Sequence, residues 1–313
     1  MRIAIFGVGG VGGYFGGRLA HAGEDVVFIA RGAHLQALQA HGLRVESVLG
    51  DFVVQPVQAT DDPTRVGIVD AVVVGVKAWQ VPEVAEAMRP LVGPATCVVP
   101  LQNGVEALEQ LAAVLGASHV VGGLCGLGSF IVAPGHIRHA VGEPFIQFGE
   151  LDNRPSVRLD ALRQAFVRAR VRVEIPADIQ GALWMKFLFI TPCSGIGALT
   201  RAPVGVWRSM PETRQLSTQA LQEVLTVAQA RGIALPADAL CTTMALFDGL
   251  PLEATVSMQR DIMAGRPSEL DAQIGAVVRL GQVAGVATPL HVFIYGSLLP
   301  LELRARGQCQ FPG

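Results

Sequence analysis

The 313-residue sequence predicts an α/β domain built on a doubly wound parallel sheet, followed by a mostly α-helical domain. Three observations lead there. The first half alternates short runs rich in Val, Ile and Phe with segments of helical spacing. The first of those runs leads directly into GVGGVG, at residues 7–12. After Ala177 the strand-like runs nearly vanish and long helical patterns take over.

Residues 2–6, 25–30, 71–76 and 96–100 are dense in branched and aromatic side chains with little polar alternation. Strands buried on both faces of a parallel sheet carry that pattern. Between them, residues 14–22, 33–41, 81–91 and 105–115 have helical spacing, and such alternation builds βαβ units. From Val120 to Glu150, Pro-Gly and Gly-Glu-Pro interrupt β-prone runs. Antiparallel or mixed strands closing the first domain are expected there. Residues 160–170 then read as a helix and 171–175 as a last edge strand. Further helices are expected over 179–190, 212–231, 237–247, 256–264, 269–284 and 289–304. The chain thus divides into residues 1–176 and 177–313, and the tail ARGQCQFPG is expected to fray.

Half the residues are hydrophobic, 16% are charged, and the formal net charge is -2. That supports large cores and argues against a general nucleic-acid or anionic-membrane surface. The five cysteines are odd in number, widely spaced and without a CxxC. Disulfides and a thiolate zinc site are therefore not expected, and the thiols read as small buried hydrophobes. The seven histidines are scattered; His136 and His139, in HIRH, fall in a β-prone hairpin where their spacing sends the rings to opposite faces. No metal site is predicted. Glycines break the apolar run of MRIAIFGVGG too early for a signal peptide. No uninterrupted apolar stretch approaches the about 18 residues of a membrane span. The expectation is a soluble, cytoplasmic protein.

GVGGVG follows a strand and opens a helix, the context in which G-x-G-x-x-G marks a Rossmann-type dinucleotide site. Gly7 serves the tight turn, Gly9 the approach of a pyrophosphate, and Gly12 the close packing of helix on strand. Val8, Gly10 and Val11 complete the loop, and the helix N-terminus offers free N–H groups to phosphates. An NAD enzyme usually carries Asp or Glu after the second strand. Here the segment is FIARG, with Arg31 in that place and no carboxylate from Phe28 to His34. A guanidinium suits a 2′-phosphate, so NADP(H) is the expected cofactor. Two further loops follow strands. VVVGVKAWQ carries Lys77, either a phosphate contact or a solvated lysine. VVPLQNGVE carries Gln102, Asn103 and Gly104. The Asn103 amide meets the nicotinamide, its ribose or the substrate, or else simply forms a turn.

In the helical half, ALWMKFLFIT at residues 182–191 places one cation, Lys186, among apolar residues. Such a lysine either snorkels to water or serves chemistry. Reducing a ketone needs hydride at carbon and a proton at oxygen. An ammonium aimed at the carbonyl oxygen stabilises the developing alkoxide and supplies that proton. Glu269 follows Pro267 and Ser268, where an acid also stabilises a helix start.

MRIAIFGVGGVGGYFG, ARG after the second strand, VKAWQV, PLQNGV, PGHIRH, the lysine of LWMKFL and RPSELDAQIGAVVRLG stand in one order. Together they resemble the ketopantoate reductase (2-dehydropantoate 2-reductase) family, from Met1 to about Leu298. The resemblance implies NADPH-dependent reduction of a 2-oxo acid to a 2-hydroxy acid. The family's own substrate is ketopantoate, and its product feeds pantothenate and coenzyme A synthesis. Carried over by motif, Lys186 matches the catalytic lysine and Glu269, in SELD, the active-site glutamate. Ser257, in TVSMQRD, matches the substrate-contacting serine, and Arg31, Lys77 and Asn103 match the cofactor-side residues. Where the family has asparagines, this chain has Ile190, Ser194, Val204 and Ile274. A site without those amides discriminates a hydroxylated substrate less strongly.

Ketopantoate or a related 2-oxo acid is therefore the first candidate, and a more apolar ketone the second. A non-catalytic NADP(H)-binding regulator has no need of Lys186 and Glu269. A β-hydroxyacid dehydrogenase is disfavoured by the missing acid after the second strand. A homodimer through the Leu- and Ala-rich helical half is expected.

Overall fold

The computed structural model describes residues 1–310. The chain forms two compact units, Met1–Gln102 with Ala107–Ile179, and Asn103–Glu106 with Gln180–Gly313.

The first unit runs β1 (Arg2–Phe6), α1 (Gly10–His21), β2 (Asp25–Ile29), α2 (Gly32–His41), β3 (Leu43–Ser47), β4 (Phe52–Val54), β5 (Gln58–Thr60) and β6 (Val69–Val74). It continues with α3 (Val81–Met88), β7 (Val92–Pro100), α4 (Ala107–Leu115), β8 (Gly122–Ala133), β9 (His136–Gly149), α5 (Val157–Arg168) and β10 (Arg172–Glu174). One sheet has the order β5-β2-β1-β6-β7, with every neighbouring pair parallel. All but the first residue of β1 and of β2 is buried, which is why these strands read as continuous apolar runs. A second sheet, β10-β9-β3-β4 with β8 on β9, mixes parallel and antiparallel pairs.

Helix α1 packs against residues of both sheets, and its glycines make that possible. A Cβ on Gly16 would lie 2.6 Å from Ile5 and 2.7 Å from Phe28, in the parallel sheet. A Cβ on Gly13 would lie 2.8 Å from Ile137, in the second sheet. Five glycines in its first eight residues weaken the helical signal. The sequence therefore starts this helix at 14, four residues late, and tertiary packing decides its true start. Strands β3, β4 and β5 escaped the sequence reading as well. They have three to five residues, too few for a periodicity, and β3 finds its partner β9 about ninety positions along the chain.

The second unit contains α6 (Ile179–Thr200), α7 (Val204–Trp207), α8 (Pro211–Ala230), α9 (Ala239–Gly249) and α10 (Ser257–Met263). A π-helical segment, Asp271–Gly275, then precedes α11 (Ala276–Ala284) and α12 (Pro289–Ala305). The expected single helix over 269–284 is thus broken by one π turn. Helix α6 runs ten residues past its expected end and straight through Pro192. Residues 191–198 are all buried, so packing outweighs the lost backbone hydrogen bond. By length and hydropathy α6 could cross a membrane, but 67% of its apolar window is buried within the protein, as in a core helix. Trp184 meets Phe187 edge-on in that core, and Trp207 meets Phe247 likewise.

None of the five cysteines forms a disulfide among the described residues. Cys97, Cys125 and Cys193 are buried, whereas Cys241 is exposed and Cys309 partly so. Burial pushes the thiols of Cys97 and Cys193 up to about 12. Within the tail expected to fray, Arg306 is held by Glu302 at 2.6 Å; residues 311–313 lie outside the described residues.

Candidate active site

One group of candidate residues lies in the first unit, at the carboxyl ends of β1 and β6, the neighbours at which the strand order reverses. Ligands of open α/β sheets bind at such a point. Gly7 has φ +94, and a Cβ there would strike Val76 at 2.5 Å. A Cβ on Gly12 would come within 2.0 Å of the Gly7 carbonyl oxygen. Gly7 therefore makes the turn and Gly12 the close packing, as their spacing suggested. Gly9 differs: the nearest atom to its Cβ position is the Gly75 oxygen, 3.8 Å away. Backbone with open space on that side, ahead of a helix N-terminus, makes a cradle that a side chain would fill. The first-turn N–H groups of Gly10, Val11 and Gly12 have no intrahelical acceptor and face a favourable end of the helix dipole for anions. Val8 is buried beside this turn.

Arg31 is the N-cap residue of α2, at the end of β2. Its guanidinium pairs with Glu83 of α3 at 3.1 Å, with both side chains largely exposed. The local sequence holds no competing carboxylate, but the fold brings one from 52 residues away. The Lys77 ammonium lies 5.8 Å from the Trp79 ring centroid, and its backbone N–H donates to Gln80 Oε1. The Gln102 amide donates to the carbonyls of Val74 and Val76, both at 2.9 Å, and so pins the end of β7 to the loop after β6.

A separate group of candidate residues lies within the helical unit. Asn103 belongs to that unit. Its amide donates to Glu269 Oε2 at 3.3 Å, and Glu269 is 7% exposed. Gln273, wholly buried in the π-helical segment, donates its amide to the same oxygen at 3.5 Å. Glu302 of α12 accepts from the Ser268 N–H at 3.0 Å and from the Ser268 hydroxyl at 2.6 Å, which fixes the residue preceding Glu269. Arg279 pairs with Glu106 at 2.7 Å and with Asp271 at 2.7 Å, and the Tyr295 hydroxyl donates to Asp271. Hydrogen bonding to Glu106 leads the effects that raise the Arg279 pKa. Burial, then Asp271, raises that of Tyr295. Gln273, Glu106, Arg279 and Glu302 were not singled out from the sequence. Their partners lie up to 173 residues away, and no local pattern marks them.

Lys186 is half-buried on α6, next to buried Phe187, and its ammonium has no hydrogen-bond or ion-pair partner among the described residues. Ser257 opens α10, also half-buried, and its hydroxyl likewise lacks a hydrogen bond among the described residues. The contacts thus unite Asn103 with Glu269 and join neither Lys186 nor Ser257 to them. Of the four departures from the resemblance, Val204 and Ile274 are wholly buried core residues, and Ser194 is buried with its hydroxyl unpartnered. Only Ile190, one turn beyond Lys186, keeps a partly exposed side chain.

Residues 3–153 match the ketopantoate reductase PanE/ApbA family, and residues 178–302 match the ketopantoate reductase PanE/ApbA C-terminal family. The chain is 31% identical to the 2-dehydropantoate 2-reductase of Mesorhizobium japonicum, over 92% of this chain and 94% of that one. It is 30% identical to the uncharacterized oxidoreductase YkpB of Bacillus subtilis, over 96% and 99%. The crystal structure of 2-dehydropantoate 2-reductase from Geobacter metallireducens superposes with a TM-score of 0.89 at 32% identity, covering 96% of this chain and 99% of that one. With both halves matched, and a glycine cradle and a buried Asn–Glu pair where the family's motifs fall, the chain belongs to the ketopantoate reductase family.

Proposed function

We propose that this protein reduces a 2-oxo acid to the corresponding 2-hydroxy acid with NADPH as the hydride source. Membership of the family makes it an oxidoreductase acting on CH–OH groups. The observation that carries the reading is the Asn103–Glu269 hydrogen bond. It joins two positions, 166 residues apart, that separate motifs had each assigned to one site.

The residues present fit a dinucleotide. The open side of Gly9 and the α1 N-terminus suit a pyrophosphate. Arg31 and Lys77 are the cations for a 2′-phosphate. When bound, the reduced nicotinamide supplies the hydride. The chain's own groups do the rest. As hydride reaches the carbonyl carbon, the Lys186 ammonium stabilises the negative charge growing on the oxygen and then gives it a proton. The amine left on Lys186 regains its proton from solvent. Glu269, held by Asn103 and Gln273, orients the substrate, and the Ser257 hydroxyl is a further contact to it. The helical unit is in this reading the substrate side.

Ketopantoate is the first candidate substrate. A less polar 2-oxo acid is the second, favoured by Ile190, whose partly exposed side chain stands where the family has an amide. NADPH oxidation followed against a panel of 2-oxo acids that includes ketopantoate separates the two. Lys186→Ala is expected to lose about 10²- to 10⁴-fold in turnover while keeping NADPH affinity. Near-normal turnover in that variant removes Lys186 from the mechanism. The absence of NADPH oxidation with every ketone in the panel rejects the reading.

A further inference from the structure

The four residues Asn103–Glu106 pack with the helical unit, although the chain on either side of them belongs to the other. Their attachment is specific. Gly104 has φ +101, and a Cβ there would lie 2.5 Å from the Ala272 carbonyl oxygen, so the loop backbone lies directly against the π-helical segment. At the far end of the loop, Glu106 takes a two-pronged contact from Arg279, Nε to Oε1 at 3.3 Å and Nη2 to Oε2 at 2.7 Å. The same guanidinium reaches back to that segment, through Nη1 to Asp271 Oδ1 at 2.7 Å and Nη2 to the Asp271 carbonyl at 3.1 Å. Gly275 leaves room for this, since a Cβ there would lie 2.8 Å from Asp271 Oδ1 and 3.1 Å from Arg279 Nη1. At the near end of the loop, Asn103 donates to Glu269, two residues before Asp271.

We propose that Arg279 is a positioning residue for the reaction: by clamping Glu106 to Asp271, it holds the Asn103 loop on the segment after Glu269 and so keeps the Asn103 amide on the Glu269 carboxylate. The fork geometry matters, because one planar cation satisfies two carboxylates and a carbonyl at fixed angles. The Arg279 side chain is 42% exposed, and partly exposed ion pairs add little to global stability. The effect therefore falls on the loop and not on the fold. Catalysis is sensitive to such placement, as misplacement by about 1 Å costs on the order of 100-fold. This inference rests on the reading of Glu269 and Asn103 as site residues.

The test compares wild type with Arg279→Met, Arg279→Lys and Asn103→Ala, and with Asn103→Ala combined with Arg279→Met. Hydrogen–deuterium exchange over residues 102–107, thermal unfolding and steady-state kinetics are measured. Arg279→Met is expected to speed exchange in the loop about tenfold or more at an unchanged unfolding temperature. It is expected to lower kcat/KM for the 2-oxo acid by about 10- to 100-fold, with KM for NADPH unchanged. Arg279→Lys keeps the charge but not the fork and should recover part of the loss. Because both changes act through one contact, the double variant should be no worse than the poorer single. Unchanged loop exchange overturns the clamp, and multiplicative kinetic losses overturn its action through Asn103. A wild type that reduces no 2-oxo acid defeats the functional reading instead, and exchange alone then decides the clamp.

Discussion

The glycine loop allows a ligand role to be separated from a packing role by two single methyl groups. Gly12→Ala places a Cβ 2.0 Å from the Gly7 carbonyl oxygen, whereas ordinary contact begins at 3.4 Å. The start of α1 must therefore retreat by about 1.4 Å (3.4 minus 2.0) from the end of β1. Overpacking of this kind costs about 1–3 kcal/mol, or about 3 to 10 °C in unfolding temperature for a unit of this size. The displaced N–H groups also lose alignment with a pyrophosphate. One hydrogen bond to a charged group is worth about 1.5–3 kcal/mol, or about 10- to 100-fold in affinity. Gly9→Ala behaves differently. Its Cβ meets nothing closer than 3.8 Å and its backbone is extended, so the fold accepts it and the unfolded chain loses some freedom. The unfolding temperature should hold or rise slightly, while NADPH affinity falls by about tenfold or more as the methyl fills the cradle. Fluorescence titration with NADPH and thermal unfolding measure both variants. Wild-type affinity in Gly9→Ala would refute the phosphate seat beside Gly9. An unshifted unfolding temperature in Gly12→Ala would refute the packing role.

Two other predictions use charge. Glu83→Gln releases Arg31 from the Glu83 carboxylate, 3.1 Å away, and should tighten NADPH relative to NADH by a factor of about two to five, as suits an exposed pair; a ratio that stays constant or falls would show that Glu83 does not compete for Arg31. Burial pushes the Glu223 carboxyl up, but hydrogen bonds from His291 and from the Leu290 and His291 N–H groups outweigh it and hold the pKa below the ordinary 4.5. A depressed carboxylate contributes its stability above the unfolded value and loses it as pH falls through the folded one. The advantage of wild type over Glu223→Gln in urea unfolding should therefore be full at pH 7 and shrink below pH 4.5; an advantage that grows on acidification would reverse the assignment.

The sequence by itself determined the βαβ alternation, the glycine loop with its turn at Gly7 and its close packing at Gly12, and the family. Each of these is written in contiguous residues: apolar runs of strand length, a six-residue loop, motifs in fixed order. It also singled out Lys186, because a cation inside an apolar helix breaks a local rule. Tertiary structure alone decided the second sheet, since β3 needs β9 from far along the chain and is too short to announce itself. It carried α6 through Pro192, because a fully buried environment compensates a local defect that sequence reading takes as a stop. It gave Arg31 a carboxylate partner and gave Glu269 its surroundings, since Gln273, Arg279 and Glu302 earn their roles only through contacts. Local patterns encode elements and chemically unusual residues. Which carboxylate meets which amide depends on long-range contacts, and those exist only once the chain has folded.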